Sequence, residues 1–369
     1  MISPMNNFST TILFFLLVIC SSCNGQNNSK IDSVHERSVE LGTTVSAIDG
    51  GALVIFQDSR NNYWFGGNDN GVYLYDRNGL VLFTQDDGLC SNAVIGIQED
   101  QFGNIFFDTQ EGVCKFDGKK FSNIEIFESL TSKFDWKLEP DDLWFRMGWD
   151  NKGPYRYDGK VLYHLEFPRT AQEDVFNSKY PNVPYNPYGV YTMYKDRSGA
   201  LWFGTSSLGV CRFDGETINW LYEDHLTETP EGGAFGFRSI FEDQEGFFWF
   251  CNTRYRYEIL PGNTEAKNTG LLKYQKEKGV GYASDSGEMD FPYFMSVVDD
   301  KNGDLWMVTY DDGVYRKNGE ELIHYPVEDE GKTVLLFSIY KDNNGNLWLG
   351  THHKGVFKFN GEKFVKFIP

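Results

Sequence analysis

Residues 337–367 read FSIYKDNNGNLWLGTHHKGVFKFNGEKFVKF. The β-rich run FSIY leads into Asp342. Asp342 and Gly345 spell a tight turn, because an Asp side chain caps backbone N–H groups and Gly accepts a positive φ. LWLG then carries Trp348 on a second strand. GVFKFN supplies a third, ending in Asn360-Gly361, a hairpin signal. KFVKF is a short fourth. A single four-stranded sheet of this kind cannot bury both of its faces, so the stretch implies neighbours.

The neighbours are in the sequence. The frame Asp-x-x-Gly-x-x-Trp recurs as Asp100-Gly103-Phe106, Asp196-Gly199-Trp202, Asp243-Gly246-Trp249 and Asp300-Gly303-Trp306. In the first copy, Asp58-Asn61-Trp64, Asn replaces Gly. One copy is damaged: LEPDDLWF keeps Trp144 but has Leu138 and Asp141 where Asp and Gly belong. Six gaps separate anchors 64 and 348, a mean of roughly 47 residues and in the range of propeller repeats. Sheets stacked radially cover each other's faces and leave only short edges. The expected fold is all-β, a seven-bladed β-propeller of four-stranded antiparallel blades over 49–369. The Trp anchors are expected to fill the layers between blades. Whether 38–48 adds a strand where the ring closes stays open.

The pattern I-x-E-D-x-x-G-x-x-W-F-G-T, then G-V-x-x-F-D-G, then D-G-L-x-S-N resembles the two-component regulator propeller repeat. Asp87-Gly88-Leu89-Cys90-Ser91-Asn92 matches its linker to the next blade. The resemblance runs over roughly residues 50–369. It implies a seven-bladed propeller of the kind that forms periplasmic sensor halves of hybrid histidine kinases in Bacteroidetes, many of which respond to oligosaccharides. No kinase, membrane span or Ig-like domain is read in this chain, so phosphotransfer is not carried over.

Lys and Arg number 34 against 53 Asp and Glu, a net charge of −19. That excludes a nucleic-acid partner, since phosphate binding needs clustered Lys and Arg. At the N-terminus, ILFFLLVI (12–19) is too short for a span of ~18 to 20 apolar residues and reads as a signal-peptide core. Cys20-Ser21-Ser22-Cys23 resembles a bacterial lipoprotein box, although Cys20 stands where Leu is usual and 1–11 lacks Lys and Arg. Residues 1–22 are expected to be a signal peptide, with Cys23 as lipid anchor and 23–48 as a tether holding a possible closing strand. An ordinary secreted protein cleaved nearby is the alternative. The expected location is the periplasm, anchored to the outer membrane through that lipid alone. Cys90, Cys114, Cys211 and Cys251 show no CxxC spacing, so zinc is not expected and all four are read as free thiols.

Candidate site residues follow from counting past the anchors. Two residues on, the repeat prefers Gly, as at Gly66, Gly204 and Gly350. Asp108 and Arg146 depart, in adjacent blades and with opposite charge. They read either as a pair holding blades together or as polar groups on the rim. The loop tips four and five residues past the anchors offer Glu111, Trp149, Arg254, Tyr310, Asp311, His352 and His353, with Tyr255 next to Arg254. An aromatic platform beside charged hydrogen-bonding groups suits a sugar or another polar ring. Insertions at 167–188, 224–236 and 255–269 are long enough to imply a role and place the binding face on blades three to six.

Catalytic signatures are poor. GTSSLG (204–209) is not G-x-S-x-G. Asp300-x-Asn302-x-Asp304 has its Gly at the wrong position for an EF-hand and reads as a turn cap. His164 and His324 fall in outer strands and are read as solvated. No catalytic residue, cofactor or metal is expected. The leading reading is a non-catalytic binder of a small-molecule or oligosaccharide ligand. A scaffold for an envelope protein is the alternative, and a metal-dependent lyase using His352, His353, Asp311 and Glu111 is the third.

Overall fold

The computed structural model describes residues 41–127, 136–228, 235–261, 270–283 and 287–369. The expected leader and Cys23 lie outside the described residues. Seven sheets follow one another around an axis, and the chain is a seven-bladed β-propeller. Blade one comprises Val54–Gln57, Tyr63–Gly66, Val72–Asp76 and Gly79–Phe83. Blade two comprises Val94–Glu99, Ile105–Thr109, Val113–Phe116 and Phe121–Asn123. Blade four comprises Val190–Lys195, Leu201–Thr205, Val210–Phe213 and Ile218–Leu221. Blade five comprises Ile240–Glu242, Phe248–Phe250, Tyr255–Ile259 and Tyr274–Lys278. Blade six comprises Ser296–Asp299, Leu305–Val308, Val314–Asn318 and Glu321–Tyr325. Blade seven comprises Leu336–Lys341, Leu347–Thr351, Val356–Phe359 and Phe364–Lys366. Outside blade three, first strands of successive blades pack side by side about the axis.

The repeated frame has a concrete cause. In the Asp196 copy, Oδ1 accepts the Ala200 N–H at 2.9 Å and closes the turn, while Oδ2 accepts the Trp202 Nε1–H at 2.9 Å. The same indole-to-carboxylate bond joins Trp64 to Asp58, Trp249 to Asp243, Trp306 to Asp300 and Trp348 to Asp342. Phe106 has no indole N–H, and there Asp100 Oδ2 takes the Asn104 side chain instead. The Asp300 turn is thus a cap, as expected. In two copies the residue before the Asp ties neighbouring blades: Glu99 accepts from the Ser59 N–H and Glu242 from the Arg197 N–H, both at 2.8 Å.

The ring closes without strand exchange. Ala52 and Thr351 exchange backbone hydrogen bonds of 2.9 and 2.8 Å, and Ser338 Oγ donates to the Leu53 carbonyl. Tyr63 packs against Trp348 and donates to Asp342 Oδ2 at 2.8 Å. Thr43–Val45 adds a fifth strand, paired antiparallel to the outer edge of blade one.

Blade three departs from the expected four strands. Its described strands are Leu143–Phe145, Tyr155–Tyr157 and Leu162–His164. The chain entering it runs along the outside, where Ile126 bridges Leu162 in parallel. The inner edge of Leu143–Phe145 is served instead by side chains of blade two. Gln98 Nε2 donates to the Trp144 carbonyl at 2.6 Å, and Asp108 accepts from the Arg146 and Met147 N–H groups at 2.8 and 2.9 Å. A gap of about 380 Å³ remains there.

Three further expectations are corrected. Cys90 and Cys114 form a disulfide tying the linker after blade one to the third strand of blade two; among the described residues Cys211 and Cys251 are free, and both are buried. The expected insertion at 255–269 begins with the third strand itself, so the extra residues fall between strands three and four. Tyr255–Ile259 pairs with Phe248–Phe250, and GLLKY, which imitates a third strand, leads into the fourth. His164 is half-buried against Tyr155, its Nε2 has no hydrogen-bond partner, and burial lowers its pKa.

Candidate functional site

The loops leaving the Trp-bearing strands share one rim. In blades two, four, six and seven the loop is shaped by a buried Thr three residues past the anchor. The hydroxyls of Thr205, Thr309 and Thr351 donate to the carbonyls of Gly209, Gly313 and Gly355 at 2.8 to 2.9 Å. This holds the hairpins open and sets their tips, including Tyr310, Asp311, His352 and His353, around the mouth of the axis.

Between blades five, six and seven this rim opens into a cleft of about 530 Å³. Phe235 and Arg238 line it from the approach to blade five. The hairpin formed by Tyr282–Ala283 and Met289–Asp290, with the Phe291 segment after it, makes one wall. Tyr310, Asp311 and Asp312 come from blade six, and Phe337 and His352 from blade seven. Tyr310 is 41% exposed, with one edge of its ring against His352. The His352 ring meets Tyr310 and Phe337 edge-on at 5.2 and 5.3 Å, and its Nε2 is buried with no hydrogen-bond partner. Burial, then the charges of His353 and Arg238, lower the pKa of His352, so it is neutral at pH 7.

Three candidates therefore meet in one cleft: Tyr310, Asp311 and His352. His353 is exposed beside His352, at 6.0 Å between rings. Arg254 sits behind the cleft wall, its guanidinium 5.2 Å from the centre of the Phe291 ring. Tyr255 is turned away, with Lys276 over its ring. Glu111 is exposed on blade two, outside the cleft. Asp108 is 1% exposed and serves blade three; burial raises its pKa, against the pull of Arg146. The Arg146 guanidinium bridges the ring, donating to the carbonyls of Tyr191 and Ile95 in blades four and two. Trp149 stacks on Arg146 at 4.5 Å and reaches Tyr191 and, across the axis, Phe337. Trp149 and Arg146 help close the axis beside the cleft.

The cleft lies on blades five to seven, whereas the insertions point to blades three to six. The tyrosines of 167–188 explain part of the difference. That segment folds as the helix Ala171–Lys179, capped by Thr170, and Tyr188 is buried with its hydroxyl on Glu173. Phe235, Arg238 and the paired strands Tyr282–Ala283 and Met289–Asp290 were missed, because none stands at a fixed offset from an anchor. Among the described residues no group of three His, Cys, Asp or Glu side chains is placed to hold a metal.

The two-component regulator propeller model matches residues 184–207 and 331–353. Histidine kinase P4 of Formosa agariphila is 27% identical over 174 residues, covering 44% of this chain and 12% of the kinase. Two solved chains from B. thetaiotaomicron share the fold. The extracellular domain of the putative hybrid two-component system BT3049 superposes with a TM-score of 0.57 at 15% identity, covering 87% of this chain and 41% of that one. The extracellular domain of the putative one-component system BT4673 gives 0.54 at 19%, covering 85% and 39%. The chain thus spans a small part of the kinase and about two fifths of each solved relative. The fold is thus that of these extracellular propellers, and within it two segments of the chain match the two-component regulator propeller repeat.

Proposed function

We propose that this propeller binds a small polar-ring ligand, an oligosaccharide, in the cleft between blades five and seven, and that it does so without catalysis in the cell envelope. The cleft carries the reading. Its 530 Å³ suits a ligand of a few rings. Phe291, Tyr310 and Phe337 offer ring faces to the apolar side of a sugar, and Asp290 and Asp311 stand at the edge to accept its hydroxyls. The resemblance to extracellular sensor domains supports a binding role and an envelope location. A non-catalytic role is favoured because, among the described residues, no carboxylate is bonded to His352 and no group of three His, Cys, Asp or Glu side chains is placed to hold a metal. The lipid anchor at Cys23 belongs to the same proposal and would be seen as acylation by mass spectrometry.

The test is a thermal-shift and calorimetric screen against neutral and acidic oligosaccharides. Binding by one class, lost in Tyr310→Ala and Phe291→Ala, is the expected result. No saccharide binding, or binding unaffected by both substitutions, would reject the cleft.

A further inference from the structure

Seven described arginines are not exposed, and five face a carboxylate. Arg146 is beside Asp108, Arg156 beside Asp142, Arg212 beside Asp196, Arg256 between Glu245 and Glu277, and Arg316 beside Asp304. In a chain of net charge −19 such pairing is the rule. The two exceptions are Arg238, which lines the cleft, and Arg254, which packs on its Phe291 wall. Arg238 lies 4.3 Å over the Tyr191 ring, and its Nε donates to the Phe235 carbonyl at 2.7 Å. Among the described residues its two terminal nitrogens have no acceptor and no carboxylate acts on it. Arg254 packs on Phe291 from behind, with its Nε buried and unpaired.

Leaving a half-buried guanidinium without a counter-charge is costly, and structures retain it where something else supplies the charge. Stacking on Tyr191 and the bond to Phe235 hold the Arg238 plane still, so its outer edge is a fixed two-donor fork. Such a fork matches a planar carboxylate in geometry as well as in charge. The three acids of the cleft leave this fork free. Asp312 accepts from the Tyr315 hydroxyl at 2.6 Å and faces His324, Asp290 accepts from Tyr282, and Asp311 is at the exposed tip of blade six. The cleft is therefore polarised, with acids at its edge and an unpaired cation inside. His352, with its free Nε2, adds a neutral polar group on the inner side.

We propose that the ligand is an acidic saccharide whose carboxylate docks on the Arg238 fork while its hydroxyls meet Asp290 and Asp311. This rests on the cleft being the binding site and narrows its ligand class. Arg254 contributes positive potential from behind Phe291.

The experiment compares uronate oligosaccharides (galacturonate, glucuronate, mannuronate and guluronate trimers) with their methyl esters by calorimetry on the folded propeller. Esterification removes the charge and little else. At least one acid is expected to bind, with its ester weaker by roughly 10- to 100-fold, the scale of a hydrogen bond to a charged group. Arg238→Gln should weaken the acid by a similar factor and leave the ester unchanged, and Arg238→Lys should restore part of the loss. Equal binding of acid and ester overturns the inference, as does binding of neutral saccharides alone, which would leave the saccharide reading intact. Sulfated saccharides binding as tightly as uronates would overturn the choice of carboxylate. If no saccharide binds, both readings fall. Should Arg238→Gln not fold, the acid–ester comparison on the unaltered chain decides.

Discussion

Asp108 and Arg146 stand at the same repeat position in adjacent blades, and the Asp108 carboxylate accepts the backbone N–H of Arg146 at 2.8 Å while its charge faces the Arg146 guanidinium. The pair does what a strand would do elsewhere. In blade three the inner strand is missing among the described residues, and Asp108 and Gln98 satisfy the edge it leaves. Of the two readings of this pair, the structure favours the one that holds blades together.

Asp108→Ala should therefore be severe. It strands two buried N–H groups and leaves the Arg146 charge unpaired, a loss of about 3–5 kcal/mol. Asp108→Asn, which keeps one acceptor, should cost less. Chemical denaturation of both variants measures this; equal, small losses would contradict the strand-replacement role.

The indole–carboxylate frame can be dissected at Trp202, which is 0% exposed. Trp202→Phe keeps most of the ring and loses the bond to Asp196. Its cost should be about 1–3 kcal/mol, because Arg212 still faces the carboxylate. Trp202→Ala should cost about 3–5 kcal/mol. Melting temperatures that fail to fall in that order would reject the interblade packing.

Acid should act in two stages. Burial holds His164 and His352 below the ordinary His pKa, so their neutral forms are favoured. Their contribution is complete above pH ~6.5 and is lost as pH falls through it. At Asp196 burial opposes ionisation, but the hydrogen bonds from Ser198, Trp202 and Arg212 outweigh it and lower the pKa. That stabilisation is complete above pH ~4 and is lost below it. Urea midpoints against pH should show His164→Gln flattening the first stage and Asp196→Asn the second. A profile unchanged by either variant would refute the assignment.

The Cys90–Cys114 bond closes a segment of 24 residues. Such a loop is worth about 2–4 kcal/mol through the unfolded chain. Reduction, or Cys90→Ser, should lower the melting temperature accordingly. Mass spectrometry that finds four free thiols in the oxidised protein would exclude the bond.

Tyr310 and Trp149 should separate binding from stability. Tyr310→Ala removes an exposed ring and should leave the melting temperature nearly unchanged while abolishing ligand response. Trp149→Ala opens the end of the axis, and a drop in stability is expected first.

The sequence by itself determined the blades. An Asp six residues before a Trp makes a turn and a hydrogen bond within one unit, so the repeat is local and can be read by counting. The same counting found Tyr310, Asp311 and His352, because loop tips keep a constant offset from the anchor. Tertiary structure alone decided the rest. Arg238 is informative through the carboxylate it lacks, and that can be seen only when its neighbours from blades four to seven are assembled. Blade three's strand count, the outward turn of Tyr255 and the partner of Cys90 depend likewise on contacts between segments far apart in sequence, and no local spacing encodes these.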